Sequence, residues 1–341
     1  MKRVTIRDVA REAGVSVTLV SFVMNAKVGA DGKLDCPVNP ETAKRVLEVA
    51  QRLGYRRNFA AASLRSGRSN TIAVIPNDIS NNFFAGISRC IEDRAQKFGY
   101  TVIFASSDEN PRELSRVLDA VIAHSVDGVI VAPCAGGDDI IRKVCDTNLP
   151  IVLLDRDIEG LEGVGKVLLD DVEAGVAATR HMLQKGWTKV EMISYSLGIT
   201  SLSEREAGYR KAMMEADLYE NAKVHYTSYG NAAADVDAII KDAVSRKVEG
   251  LFLPTYSLSA LALRALKAAG LRTPGDLAIV AFDESDVFDL YQTTVTHMVQ
   301  PLRELGEKSV DTLIKMISGQ AAESTILHPA LIEGGSTEKV N

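Results

Sequence analysis

The chain has 341 residues, enough for two or three folding units. Its 46% hydrophobic and 25% charged residues are ordinary for a soluble globular protein, and no run of 18 apolar residues occurs that would cross a membrane. The net charge of −6 conceals an asymmetry: residues 1–70 carry 13 Lys/Arg against 6 Asp/Glu, and the remainder carries 26 against 39. A basic head on an acidic body suits a polyanionic partner, because Lys and Arg release counterions from phosphates; a solvated charged surface fits the same numbers. The opening MKRVTIRDVAREAG is amphipathic and lacks the apolar core of a secretory signal, so a cytoplasmic protein is expected. Cys36, Cys90, Cys134 and Cys145 show no metal-like spacing and read as reduced, inert thiols; no metal site is expected.

The first 57 residues read as short helices. Thr5 followed by Asp8 has the form of a capping box for a helix over 6–12, with Ile6, Val9, Ala10 and Ala13 as its apolar face. Gly14 can end that helix with positive φ, and Ser16 can cap a second one running to about Met24. A loop broken by Gly29, Gly32, Pro37 and Pro40 leads to a third helix over 41–53, which stops at Gly54.

From Thr71 the pattern becomes that of a doubly wound α/β protein, short β-branched runs alternating with amphipathic helices. The predicted strands are 71–76, 100–106, 127–133 and 150–155, with helices near 83–98, 112–124 and 138–146 between them. A second series is expected to begin with the strand VGKVLLD (164–170) and to continue through strands 189–195, 223–229, 249–254 and 276–282. A last helix covers 301–317. Two tandem series imply two similar lobes with a cleft between them, and ligands in such sheets bind beyond the carboxyl ends of the strands. Asp155, Asp170 and Asp283 stand at such ends. Walker and dinucleotide glycine fingerprints are absent, so no cofactor is expected.

The run TIRDVAREAGVSVTLVSFVMN (Thr5–Asn25) joins two amphipathic helices through a tight glycine turn, a geometry that lets the second lie in a major groove. It resembles the head of the LacI/GalR family of bacterial transcriptional regulators. The resemblance continues through VNPETAKRVLEVAQRLGYRRN, NFAAASLRSGRSNTIAVI, IVLLDR, SEREAGYRKAM and DLAIVAFDE, and so covers essentially the whole chain. It implies an all-α helix-turn-helix head (1–57), a hinge helix (58–69), and a two-lobed core like the periplasmic binding proteins (70–341). Lobe one is expected at about 70–160 and 290–320, lobe two at about 161–289 and 321–335. The expected function is a sequence-specific DNA-binding regulator, in the first place a repressor. It would act as a homodimer on double-stranded operator DNA under the control of a small molecule, in the first place a carbohydrate.

The resemblance assigns roles position by position. Val17 and Thr18 are expected to meet base edges, while Ser16, Ser21 and Asn25 set register on phosphates and Thr5 is counted with them among the DNA-binding residues. Asn58, Leu64 and Arg65 belong to the hinge, with Leu64 as a minor-groove wedge. Effector contacts are expected from Asn82, Phe83, Asp155, Arg156, Arg205, Thr255 and Asp283; carboxylates and guanidinium suit the hydroxyls of a sugar, and an aromatic ring suits its C–H face. Four departures stand out. Phe22 replaces an arginine and is expected to pack inward, with a thymine methyl as its alternative contact. Leu19 replaces a threonine. The 26–38 loop is long and reads as a solvated insertion, with Lys27 or Lys33 as alternative DNA contacts. LPTYS, with Thr255 and Tyr256, replaces the family's C-A-N-D. A sugar-binding protein without a DNA role would share the core but not the basic head. An enzyme is not expected, since the five histidines are dispersed and no nucleophile–base set appears.

Overall fold

The computed structural model describes residues 4–28, 34–55 and 67–339. The chain divides into two compact units that meet between Ser69 and Asn70.

The first unit is a cluster of three helices, α1 (Ile6–Ala13), α2 (Val17–Asn25) and α3 (Pro40–Arg52). Asp8 accepts from the Thr5 backbone N–H at 3.0 Å and from its hydroxyl at 2.7 Å, fixing the start of α1. Gly14, at φ 65°, closes α1 in the left-handed conformation that glycine adopts without strain. Ser16 Oγ then accepts from Leu19 N to cap α2, and Asn39 does the same for α3, whose first residue is Pro40. The apolar faces meet in one small core of Val9, Ala10, Val20, Val23, Val46 and Val49. The loop expected after α2 contains a short antiparallel ribbon, β1 (Lys27–Val28) paired with β2 (Leu34–Asp35). Lys33 falls outside the described residues.

The second unit holds two six-stranded sheets. The first runs β4 (Thr101–Phe104), β3 (Thr71–Ile75), β5 (Gly128–Val131), β6 (Ile151–Leu154), β7 (Gly165–Leu169) and β13 (Ser324–Leu327), all parallel. The second runs β9 (Val224–Thr227), β8 (Val190–Tyr195), β10 (Gly250–Phe252), β11 (Ala278–Phe282), β12 (Thr296–Val299) and β14 (Ala330–Ile332). Only β14 in this sheet is antiparallel to its neighbour. The two orders match, so each lobe reverses its winding between corresponding strands, β3/β5 and β8/β10. Central strands such as β5, β6, β8 and β11 are buried along their length, whereas the edges β4, β13 and β14 alternate between exposed and half-buried residues. Sheets covered by helices on both faces require this.

The expected lobe boundaries need correction. VGKVLLD, expected to open the second series, is β7 of the first sheet, beside β6. The segment 290–320 is not all in lobe one, since β12 belongs to the second sheet, and β13 returns to the first. The chain therefore crosses between lobes three times, at 169–171, 299–302 and 327–330. Alternation of strand and helix carries no mark of where such a crossing falls. Strands β12, β13 and β14 also escaped the sequence reading; β13 and β14 are edge strands that alternate exposed and half-buried residues and so lack a continuous apolar run, and β12 is a short Thr-His-Met-Val segment.

Helix α7 (Asp171–Gln184) packs on α8 (Thr200–Glu215) with their backbones in near contact. A Cβ on Gly208 would lie 2.2 Å from Val172 O, and one on Gly175 would lie 2.1 Å from Arg205 O. This approach sets Arg205 of α8 against the first turn of α7. The variant Gly208→Ala must push the helices apart, an overpacking cost of at least about 1–3 kcal/mol. Thermal denaturation should show a clear loss of Tm, and an unchanged Tm would contradict the packing described.

Candidate functional site

In the first unit, the residues expected to face DNA lie on one side of α2. Val17, Thr18 and Asn25 are exposed and Ser21 is half-buried, while Val20 and Val23 turn into the core. Asn25 Nδ2 donates to Ser21 O at 2.6 Å and lies 3.0 Å from Ser21 Oγ, so these two polar residues form one pair. Ser16 is spent on its cap, and the Thr5 hydroxyl donates to Asp8.

Phe22 corrects the expectation that it packs inward: it is 50% exposed, on the side of Val17 and Thr18 rather than of Val20 and Val23. Leu19, by contrast, packs partly against the core, which accounts for an apolar residue there. Helix α2 contains no charged residue, and Arg7, Lys44 and Arg45 supply exposed positive charge on the neighbouring helices. The hinge residues Asn58, Leu64 and Arg65 lie outside the described residues.

In the second unit, the predicted effector residues converge where the two sheets present their carboxyl ends to each other. Asp155 directly follows β6 and Asp283 directly follows β11. Both adopt left-handed φ, 67° and 69°, so the two lobes turn an aspartate into the cleft by the same backbone device. A left-handed conformation is uncommon for a side-chain-bearing residue, and aspartate is among those that tolerate it.

Arg205 is the centre of the cluster. It is 4% exposed, its Nε donates to Asp171 at 2.6 Å, its Nη1 donates to Pro254 O at 2.7 Å, and its guanidinium lies 3.8 Å from the centroid of the Phe282 ring. Burial lowers its affinity for the proton, but the attraction of Asp171, Asp155 and Asp283 outweighs this and the pKa is raised. Asp283 accepts from Gln300 Nε2 at 2.7 Å and from Tyr256 N at 3.0 Å, yet burial still pushes its pKa up. Asp155 is raised by burial too, with Arg156 and Arg205 opposing. Burial likewise lifts Asp171 to about 7, against the opposing pull of Arg205.

The other predicted residues have different tasks. Arg156 forms a two-pronged pair with Glu109 at 2.7 and 3.0 Å and donates to Pro133 O, so it braces the first lobe while bordering the cleft. Thr255 Oγ1 accepts from Leu258 N and caps α10 (Tyr256–Ala268). Asn82 is exposed at the start of α4 (Asn82–Lys97). Phe83 departs from expectation: its ring packs edge-on to Phe84 at 4.9 Å within the apolar core of the first lobe, and is not free to offer a face. In the second lobe, the exposed Tyr229 lies against the buried Tyr195, with ring centroids 5.4 Å apart.

Among the described residues, hydrogen bonds join the lobes across the cleft at two places: Tyr229 OH donates to Asp78 Oδ2 at 3.1 Å, and Asp157 pairs with Thr200 through Asp157 N to Thr200 Oγ1 at 3.1 Å and Thr200 Oγ1 to Asp157 O at 3.5 Å. Sequence reasoning missed Asn77, Glu109, Asp171, Tyr229 and Gln300. The usable signal was a polar residue just past a buried apolar run, as in AVIPN, LLDD and HMVQ. Among the described residues no cysteine is disulfide-bonded, and burial raises the Cys134 thiol at the cleft edge to about 11, which keeps it protonated.

The Asp171 carboxyl gives a pH prediction. A folded pKa raised from 3.8 to about 7 means that the native state holds a proton the unfolded chain has lost. Stability from this group is therefore full below about pH 4 and is lost as pH rises through about 7. The Tm of the wild type, measured relative to an Asp171→Asn variant, should fall between about pH 4.5 and pH 8; a difference independent of pH would count against this environment.

Comparison with known proteins agrees with both units. Residues 5–58 match the model for bacterial regulatory proteins of the lacI family, and residues 72–321 match a periplasmic binding protein domain. HTH-type transcriptional regulator RegA of Clostridium saccharobutylicum is 30% identical over 341 residues, covering 98% of this chain and 99% of that protein. Catabolite control protein A of Priestia megaterium is 29% identical, covering 95% and 96%. Among solved structures, the lac repressor dimer bound to operator and an anti-inducer superposes with a TM-score of 0.83 at 22% identity, over 98% of this chain and 99% of that one. The CelR–cellobiose complex does so with a TM-score of 0.69 at 25% identity, over 98% and 100%. These relatives are transcription regulators rather than enzymes, and the match over the head separates the chain from solute-binding proteins that have the core alone. No helix among the described residues is long and apolar enough to cross a membrane. A helix-turn-helix head joined to a two-lobed binding core, with whole-length relatives of the same build, places this chain in the lacI family of bacterial DNA-binding transcription regulators.

Proposed function

We propose that the protein is a cytoplasmic homodimeric repressor whose affinity for operator DNA is set by a sugar-type effector held between its two lobes. The observation that carries the reading is the convergence of Arg205, Asp283 and Asp155 in a cleft whose walls are bridged by the residue pairs Tyr229–Asp78 and Thr200–Asp157. A polyol placed there gives hydroxyl protons to the carboxylates and accepts from the guanidinium. Because such a ligand touches both lobes, its binding free energy is coupled to their closure, and by linkage DNA and effector must alter each other's affinity by the same factor. The solved relative holding cellobiose supports a carbohydrate as the first class to examine. Val17, Thr18, Ser21 and Asn25 of α2 are the proposed groove residues, with Thr5 and Ser16 beside them and Asn58, Leu64 and Arg65 in the hinge.

Selection of duplexes from a random pool by the purified full chain should yield one near-palindromic sequence. Raising salt from about 50 to 200 mM should weaken binding to it by about a thousandfold or more. Absence of sequence preference would refute the DNA assignment. Asp283→Ala should keep operator binding and lose the response to effector; a full response in that variant would refute the cleft assignment. Phe22→Ala should change stability by no more than about 0.5 kcal/mol, because the ring is half in solvent. If the ring meets a thymine methyl, the same variant should lose about tenfold in operator affinity.

A further inference from the structure

Two openings that lead between the lobes share a chemical character. The larger, about 440 Å³, is bordered by Asp138, Asp139, Asp157 and Glu159, and its only cationic side chain is Arg156. The smaller, about 260 Å³, is bordered by Asp155, Asp157, Asp170, Asp171 and Glu204 and by no cationic side chain. Some of this charge is already neutralised: Arg156 is committed to Glu109, and Lys166 reaches Asp157 at 2.6 Å. Arg205 acts on all three buried carboxylates, Asp155, Asp171 and Asp283, and Arg156 adds its attraction at Asp155 alone.

Buried oxygens without partners point the same way. Gln300 is 4% exposed and donates its Nε2 to Asp283 Oδ1, an acceptor, which fixes the amide so that Oε1 is the free end. That oxygen has no hydrogen-bond partner. Asn77, 1% exposed, is fixed in the same manner by donating to Pro133 O, and its Oδ1 also has none. Each residue stands just past the carboxyl end of a parallel strand, β12 and β3. Buried amide oxygens of this kind require a donor from somewhere. The N-terminus of α7, where an anion would be drawn, is already filled by Asp170, which accepts from Glu173 N, and by Asp171.

We infer that the cleft selects its effector by charge: it takes a hydroxyl-rich ligand that is uncharged or carries an amine, and it rejects one bearing phosphate or carboxylate. The inference rests on the effector reading above and narrows it. Hydroxyl and ammonium hydrogens suit Gln300 Oε1, Asn77 Oδ1 and the aspartates, while Arg156 Nε, which is ion-paired with Asp155 Oδ2 at 3.5 Å but makes no hydrogen bond, has its hydrogen to offer to one ligand oxygen. An anion would enter against the field of both openings and would find few donors inside.

Two measurements on the full chain test this. In the first, thermal shift is recorded with glucose, ribose and cellobiose, with glucosamine, and with glucose 6-phosphate, ribose 5-phosphate and gluconate. Stabilisation is expected only from the uncharged or amine-bearing members, and a larger shift from any anionic member overturns the inference. The second needs no ligand. Asparagine tolerates the left-handed backbone at 155, so Asp155→Asn removes one like charge with little strain. Its Tm should exceed the wild type's by about 2–4 °C at pH 8 and by less at pH 5; an equal or lower Tm at pH 8 overturns the inference. If no sugar in any form shifts Tm while Asp155→Asn behaves as stated, the carbohydrate reading fails and the exclusion of anions stands.

Discussion

One buried guanidinium organises the core. Arg205 is reached by carboxylates from the first lobe, Asp155, from the second, Asp283, and from the crossing segment between them, Asp171. Removing a charge from water is expensive unless partners replace the lost hydration. Here the partners include Asp171, the Pro254 carbonyl and the face of Phe282. Groups that would otherwise repel one another are thereby held at the mouth of two sheets. Their arrangement depends on the glycines of α7 and α8, because any side chain at Gly175 or Gly208 would separate Arg205 from Asp171.

The loop around LPTYS shows how a family pattern is kept in geometry after it has changed in sequence. Pro254 offers its carbonyl to Arg205, Thr255 caps α10, and the Tyr256 amide holds Asp283. Three successive residues thus brace the site mainly through backbone atoms and a cap. The usual asparagine and aspartate are absent, and Gln300, from just past β12, holds Asp283 alongside the Tyr256 amide.

Much of this architecture was legible beforehand. The head could be read because its caps, Thr5 with Asp8 and Ser16, are local, and because its apolar spacing repeats with the helix. The buried strands could be read because runs such as VIV and IVLL leave no other use for their residues. Lobe membership could not: β7 sits beside β6 only because the chain returns to the first sheet before crossing, and hydrophobic alternation looks the same in either case. Arg205, Asp155 and Asp283 were found through resemblance. Asp171, Gln300 and Asn77 were not, since they lie just past strand ends or at the first residue of a helix, where no periodicity separates a buried polar group from a solvated one. Phe22 was misjudged for a related reason: apolar character alone does not say which side of a nine-residue helix a ring occupies.

The three crossings at 169–171, 299–302 and 327–330 have a mechanical consequence. Two bodies tied by one strand can swivel and slide freely, whereas three tethers side by side restrain both motions and leave bending about their common line as the soft mode. Asp171 and Gln300 sit on two of those tethers, so groups of the proposed effector site also stand at the pivot. A small molecule bound at the proposed site would work near the fulcrum, where modest displacements are magnified at the far ends of each lobe.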